Sequence, residues 1–126
     1  MNITVFNGLP FIAADLVHRG HRLTIANVLL DTGSGGTVFQ VDALGSINMP
    51  LMPDDEVHRI RGVGGFEYVF TKRIELLRVG NLSVKDFDIE LGQLDYGYNI
   101  NGILGADFLV KTHAVIDFGA RRLVSG

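Results

Sequence analysis

Apolar and polar positions alternate in short runs along most of this chain, and turn-forming residues separate the runs. Leu82 to Leu91 is the clearest case: Phe87, Ile89 and Leu91 alternate with Asp86, Asp88 and Glu90, which predicts a strand with one buried and one wet face. Ile3 to Phe6 predicts a terminal strand closed by Asn7-Gly8 and Pro10. Phe11 to Val17 and Arg22 to Leu30 predict the arms of a hairpin around His18-Arg19-Gly20-His21, with a glycine where a positive φ is needed. Thr37-Val38-Phe39 is a further β-like run. Gln40 to Ser46 fits a short helical turn and a coil equally, and Pro50 and Pro53 bracket an extended connection.

From Val57 onward two β-like arms flank the glycine-rich tip Gly62-Val63-Gly64-Gly65, a tip able to hinge. Lys72 to Val79 continues as strand, Gly80-Asn81 turns the chain, and 92–101 is polar and turn-like. Ala106 to Thr112 predicts a helix of about two turns. His113 to Phe118 and Arg121 to Val124 predict the closing strands. Strands dominate, so the expected class is all-β. Two apolar segments that end in glycine, Leu29 to Gly33 and Ile103 to Gly105, look like counterparts.

Composition narrows the reading. A chain of 126 residues fits one domain, 1–126, large enough to bury roughly two-thirds of the surface its unfolded form exposes. It has no cysteine, which removes disulfides and thiolate metal sites. The net charge of −3 gives no footprint for nucleic acid or an anionic membrane. No apolar run approaches the roughly 18 residues of a membrane helix, and the first residues lack the basic flank and cleavage site of a signal peptide. The expectation is a soluble, cytoplasmic protein. His18, His21, His58 and His113 are scattered and read as surface or satisfied side chains, not metal ligands, and no cofactor is expected. Asn81-Leu82-Ser83 matches a glycosylation acceptor, but nothing else points to secretion.

The chemistry concentrates in Val28-Leu29-Leu30-Asp31-Thr32-Gly33-Ser34-Gly35-Gly36. A buried strand here delivers one carboxylate into a tight loop whose glycines let a ligand approach the backbone. Asp and Gly also form ordinary turns, and an Asp-Thr-Gly triplet arises by chance in roughly a few per cent of chains this long. Neither glycine cluster has the spacing, lysine or receiving helix of a dinucleotide or Walker loop.

The order of parts resembles the retropepsin-like aspartic peptidases over roughly Phe11 to Leu123: a hairpin into Asp31-Thr32-Gly33, a flap around Gly62 to Phe66, the Ile103-Leu104-Gly105 segment, a short helix and a final strand. Together these parts are far more specific than the triplet. The resemblance implies a single-lobe acid protease fold and an aspartic endopeptidase that needs no metal. Two carboxylates must share one proton in this chemistry, and the chain has one Asp-Thr-Gly. The implied enzyme is therefore a homodimer acting on a peptide or protein substrate, with Asp31 meeting Asp31 across a two-fold axis. By the same resemblance Thr32 bonds across the interface and Gly33 admits substrate backbone. Ser34, Gly35, Gly36 and the flap residues Arg61, Gly62, Val63, Gly64 and Gly65 contact substrate, and Ile103, Leu104 and Gly105 support the loop. The termini, Ile3 to Phe6 with Leu123 to Gly126, are expected to interleave in a dimer sheet, as in many viral members.

The chain also departs from that pattern. Viral members often carry acids where this sequence has Gly35 and Gly36, and a partnering arginine where it has Ala106. Arg61 stands where several of them have glycine. These changes motivate an alternative reading, a catalytically silent dimer that binds peptides or proteins.

Overall fold

The computed structural model describes residues 1–45, 57–62, 65–93 and 99–126, and for 58–62 and 65–67 the backbone alone. The flap-tip residues Val63 and Gly64 lie outside the described residues. The strands are β1 (Thr4–Phe6), β2 (Leu9–His18), β3 (His21–Leu30), β4 (Val38–Gln40), β5 (Val57–Gly62), β6 (Gly65–Val79), β7 (Leu82–Gly92), β8 (Gly102–Leu104), β9 (Ala114–Asp117) and β10 (Arg122–Ser125). A 3-10 turn covers Val41–Leu44, and the helix α1 covers Ala106–Lys111. The fold is all-β with one short helix, as the sequence predicts.

Eight strands form one sheet in the order β1-β2-β3-β8-β4-β7-β6-β5. An additional antiparallel pairing of β2 with β6, through Asp15↔Arg78, Leu16↔Leu77 and Val17↔Leu76, joins the sheet back onto itself. The strands β2, β3, β8, β4, β7 and β6 thus make a closed ring, with β1 and β5 attached outside it. Local turn chemistry sets the antiparallel members. Arg19 and Gly20 both take positive φ, 49° and 77°, which suits a two-residue loop whose twist matches the strands it joins. Two pairings in the ring are parallel: β3 with β8 (Leu29↔Ile103) and β4 with β7 (Val38↔Glu90). The two apolar-then-glycine segments are therefore neighbours in space, side by side and in the same direction.

Inside the ring lies a continuous core that includes Leu16, Ile25, Val28, Phe39, Ile74, Leu77, Ile89, Leu91, Leu104 and Phe108, all buried. The alternation of β7 holds over Phe87, Ile89 and Leu91, then reverses, because Leu82 is also buried. Strand β6 reverses with it, burying Ile74 and then Leu77 and Val79. Asp86, with φ of 51°, sits at the change, and Glu75 and Asp86 drop out of an otherwise continuous register. One local twist thus lets two long strands keep apolar side chains inward past the bend.

The termini pair within the chain. Asn2 bridges Arg122, the Ile3 N–H donates to the Arg121 carbonyl at 2.9 Å, and the Leu123 N–H donates to the Met1 carbonyl at 2.8 Å. β9 lies along the other side of β10. The β9–β10 hairpin thus presents an edge that residues 1–3 of the same chain occupy, and burial of Ile3 and Leu123 fixes this arrangement.

Core and surface contribute unequally. Leu77→Ala, at a fully buried site, should lower unfolding free energy by about 2–5 kcal/mol in urea denaturation. Arg73→Ala removes an exposed ion pair with Asp88 at 2.8 Å and should leave the midpoint nearly unchanged.

Candidate active site

Strand β3 carries the acid, and an irregularity aims it. The β2–β3 register shifts between Ile12 and Ala14, opposite Ala26 and Asn27, and Asn27 takes φ of 57°. Such a bulge bends a strand and increases its twist. Asn101 secures the bend from the neighbouring segment: its N–H donates to the Asn27 carbonyl at 3.0 Å and its side-chain amide to the Ala26 carbonyl at 2.9 Å. Beyond the bend Val28 and Leu30 face the core, Leu29 faces the other side, and Asp31 follows on the side of Leu29.

Asp31 leaves the strand half-exposed. Its own N–H donates to the Leu104 carbonyl at 3.0 Å, extending the parallel ladder by one step. The Gly33 N–H donates to Asp31 Oδ1 at 3.0 Å, which orients the carboxylate over its own loop. Thr32, Gly33 and Gly35 are exposed, and Ser34 and Gly36 are half-buried. Ser34 Oγ donates to the Gly36 carbonyl at 2.7 Å, tightening the loop from within.

Below the loop, Ile103, Leu104 and Gly105 are buried. The Ala106 N–H donates to the Ser34 carbonyl at 2.7 Å. A Cβ at Gly105 would lie 2.2 Å from the Gly36 carbonyl oxygen and 2.8 Å from that of Ser34, so only glycine fits against this backbone. Arg61 and Gly62 lie in β5 and Gly65 in β6, paired as Arg61↔Phe66 and Gly62↔Gly65. No hydrogen bond among the described residues joins that hairpin to the Asp31 loop.

Two residues that the sequence did not single out hold the loop in place. Thr37, fully buried, accepts the Gly105 N–H on Oγ1 at 3.1 Å and donates from Oγ1 to Asp107 Oδ1 at 2.8 Å. Asp107 also accepts the Thr37 N–H at 3.3 Å and the Phe108 N–H at 2.8 Å. A carboxylate at the start of α1 thus ties the loop's exit to the helix. The hint in the sequence is that a hydroxyl and an acid follow the two counterpart glycine segments, Thr37 after Gly36 and Asp107 after Gly105.

A second apolar cluster, Val38, Val69 and Ile103 with Leu29 against it, lies on the Asp31 side of the sheet, separate from the main core. A cavity of about 640 Å³ opens elsewhere, between β1 and the bend of β3, lined by Phe6, Phe11, Ile12 and Asn27 among others. None of residues 31–37 lines it. Among the described residues no group of three or more His, Asp or Glu gathers to hold a metal, and no helix is long and apolar enough to cross a membrane.

This arrangement has one acid at a strand end, a glycine loop after it, and a parallel Ile-Leu-Gly strand leading into a helix beneath. A family model described as aspartyl protease, of the retropepsin-like clan, matches residues 14–108. The chain belongs to this aspartyl protease family. The match begins inside β2, takes in β3, the Asp31 loop, Thr37 and Asp107, and ends inside α1. No curated protein matches the chain. Family membership and the ring of strands agree on an all-β retropepsin-like fold with a general aspartic-protease function.

The Thr37–Asp107 tie gives a direct test. Thr37→Val leaves the buried Gly105 N–H without its acceptor and should cost about 1–3 kcal/mol of stability. In hydrogen exchange, the amides of Gly105 and Ala106 should lose protection more than those of β7.

Proposed function

We propose that the chain is an aspartic endopeptidase that works as a two-fold symmetric homodimer, its catalytic pair made of one Asp31 from each subunit. The observation that carries this reading is the Asp31 carboxylate itself, half-exposed at the end of a rigid strand and oriented by the Gly33 N–H, in a chain with a single loop of this kind. Like charges brought this close cannot both ionise, so the pair holds one proton. The ionised Asp31 takes a proton from a water molecule, whose oxygen attacks the scissile carbonyl carbon. The protonated Asp31 donates its proton to the carbonyl oxygen. Collapse of the tetrahedral intermediate breaks the C–N bond, and the leaving amine receives a proton from the pair. Because the reaction needs one carboxylate as base and the other as acid, rate against pH should be bell-shaped.

The rest of the loop suits the same arrangement. Thr32 and Gly33 are exposed; in this reading Thr32 hydrogen-bonds the partner subunit and Gly33 admits substrate backbone. Ser34, Gly35 and Gly36 border the groove, with the apolar cluster of Leu29, Val38, Val69 and Ile103 as its floor. The β5–β6 hairpin, with Arg61, Gly62 and Gly65, is the flap that closes over bound peptide and excludes water. A second reading, a dimer that binds peptides without cleaving them, draws on the missing side chains at Gly35 and Gly36.

The test is cleavage of a diverse peptide mixture read by mass spectrometry from acidic to neutral pH. Asp31→Asn should reduce the rate by about a hundredfold to ten-thousandfold. Activity should rise more steeply than linearly with subunit concentration while dimers are scarce. Cleavage that survives Asp31→Asn would refute the mechanism, and a dimer that binds peptides without turnover would favour the second reading.

A further inference from the structure

The bulge that aims Asp31 also shapes the cavity beside β1. Ile12 pairs with Val28 and Ala14 with Ile25, so two residues of β3, Ala26 and Asn27, oppose the single Ala13 of β2. Ile25 and Val28 belong to the core, and the two residues between them are left exposed on the outer side. Alanine at both 13 and 26 fills little of the space there. The cavity of about 640 Å³ that results is within the size range of ligand sites.

The strand registers place this cavity on the same side as the acid. Thr4 pairs with Phe11, Phe11 with Leu29, Leu29 with Ile103 and Ile103 with Val38. Paired residues share a face of a sheet, so this row crosses five strands on the face where Leu29, Ile103 and Val38 cluster. Asp31 emerges on that face, two residues beyond Leu29. Thr4 and Phe11 line the cavity, as does Phe6, which is 64% exposed. With strands about 4.8 Å apart and about 3.3 Å per residue, the cavity lies roughly 8–12 Å from Asp31, or about three residues of extended peptide.

Its lining suits an uncharged occupant. Phe6 and Phe11 supply apolar area, and no charged side chain lines the cavity among the described residues. Asn2, Asn27 and Asn99 bring carboxamides to it, and none of these three side chains holds a hydrogen bond within the chain. A carboxamide offers donors and an acceptor together, which match the C=O and N–H of a peptide group. The framework behind them is secured: the Leu123 N–H donates to the Met1 carbonyl beside Asn2, and Asn101 braces the Asn27 carbonyl.

We infer that this cavity is an accessory substrate site, which seats a large apolar side chain of the peptide about three residues from the scissile bond. The free asparagine side chains bond the peptide groups on either side of that residue. The inference rests on the endopeptidase reading above. Each subunit of a two-fold dimer supplies one such site, so the substrate is gripped on both sides of the bond and well away from it. Binding of this remote kind selects substrates without touching the reacting atoms.

The experiment compares kcat/KM for matched peptides that differ only in phenylalanine or alanine at each position from two to five residues away from a cleaved bond. The ratio of the two is internal to each enzyme variant, so overall activity cancels. Wild type should favour phenylalanine at one of these positions by about tenfold, the scale of burying extra apolar side chain in a pocket. Ala26→Leu and Ala13→Leu, which fill the cavity from different strands, should each bring that ratio close to one. A wild-type ratio near one at every position, or a preference that both filled variants keep, would overturn the accessory site while cleavage itself upholds the peptidase. A wild-type ratio near one with weaker dimerisation of the filled variants in sedimentation would assign the cavity to the partner subunit, and overturn the proposal equally. Absence of cleavage of every peptide would overturn both readings.

Discussion

Contact between two stretches of backbone at Gly105 is the constraint on which the site depends. The carbonyls of Ser34 and Gly36 approach the Gly105 Cα so closely that no side chain fits between them. That proximity is useful because it is bonded: the Ala106 N–H meets Ser34, and the Gly105 N–H meets Thr37, whose hydroxyl passes the connection on to Asp107. The loop bearing Asp31 is therefore continuous, through hydrogen bonds, with the first turn of α1. A loop rich in glycine would otherwise lose much conformational entropy on ordering. Here the order is imposed from beneath, and the exposed side of the loop is left for chemistry.

Two apolar clusters divide the work of the strands around this contact. The large one fills the ring and includes Val28, Leu30, Phe39, Leu104 and Phe108, one or more from each element that meets the loop. The small one, Leu29 with Val38, Val69 and Ile103, occupies the opposite face of the same strands. Alternation along β3 and β8 thus assigns Leu30 and Leu104 to stability and Leu29 and Ile103 to the side where Asp31 emerges. Each of these short segments is buried on both faces, which is why it reads as a continuous apolar run and not as an alternating one.

Local features were legible in the sequence because their causes are local. The hairpin turns at Asn7-Gly8 and Arg19-Gly20, the outer half of β7, the short helix and the acid at the end of β3 all follow from residues adjacent in the chain. The likeness of Leu29–Gly33 to Ile103–Gly105 was visible, but not that the two would pair, since parallel partners arise from distant segments and leave no mark on either one. For the same reason the Thr37–Asp107 tie, 70 residues apart, escaped notice. The joint reversal of β6 and β7 at Glu75 and Asp86 breaks a period that the sequence alone extends through Leu82. The terminal strand was expected to serve a dimer sheet, and residues 1–3 instead satisfy β10 of their own chain. Edge pairing depends on which partner is nearer, and the pattern of side chains does not encode that.

Closure of the sheet through the β2–β6 pairing has a consequence for how the protein meets other chains. Around the Asp31 loop the strands are paired on both flanks, at Val28 and Leu29 of β3, Val38 and Phe39 of β4 and Glu90 to Gly92 of β7, so this part of the ring cannot template the addition of a foreign strand. The order of the eight-stranded sheet ends at β1 and β5. The first is three residues long, Thr4–Phe6, which is too short to seed extended pairing. The strands that carry the Asp31 loop are thereby protected against edge-to-edge pairing by their topology.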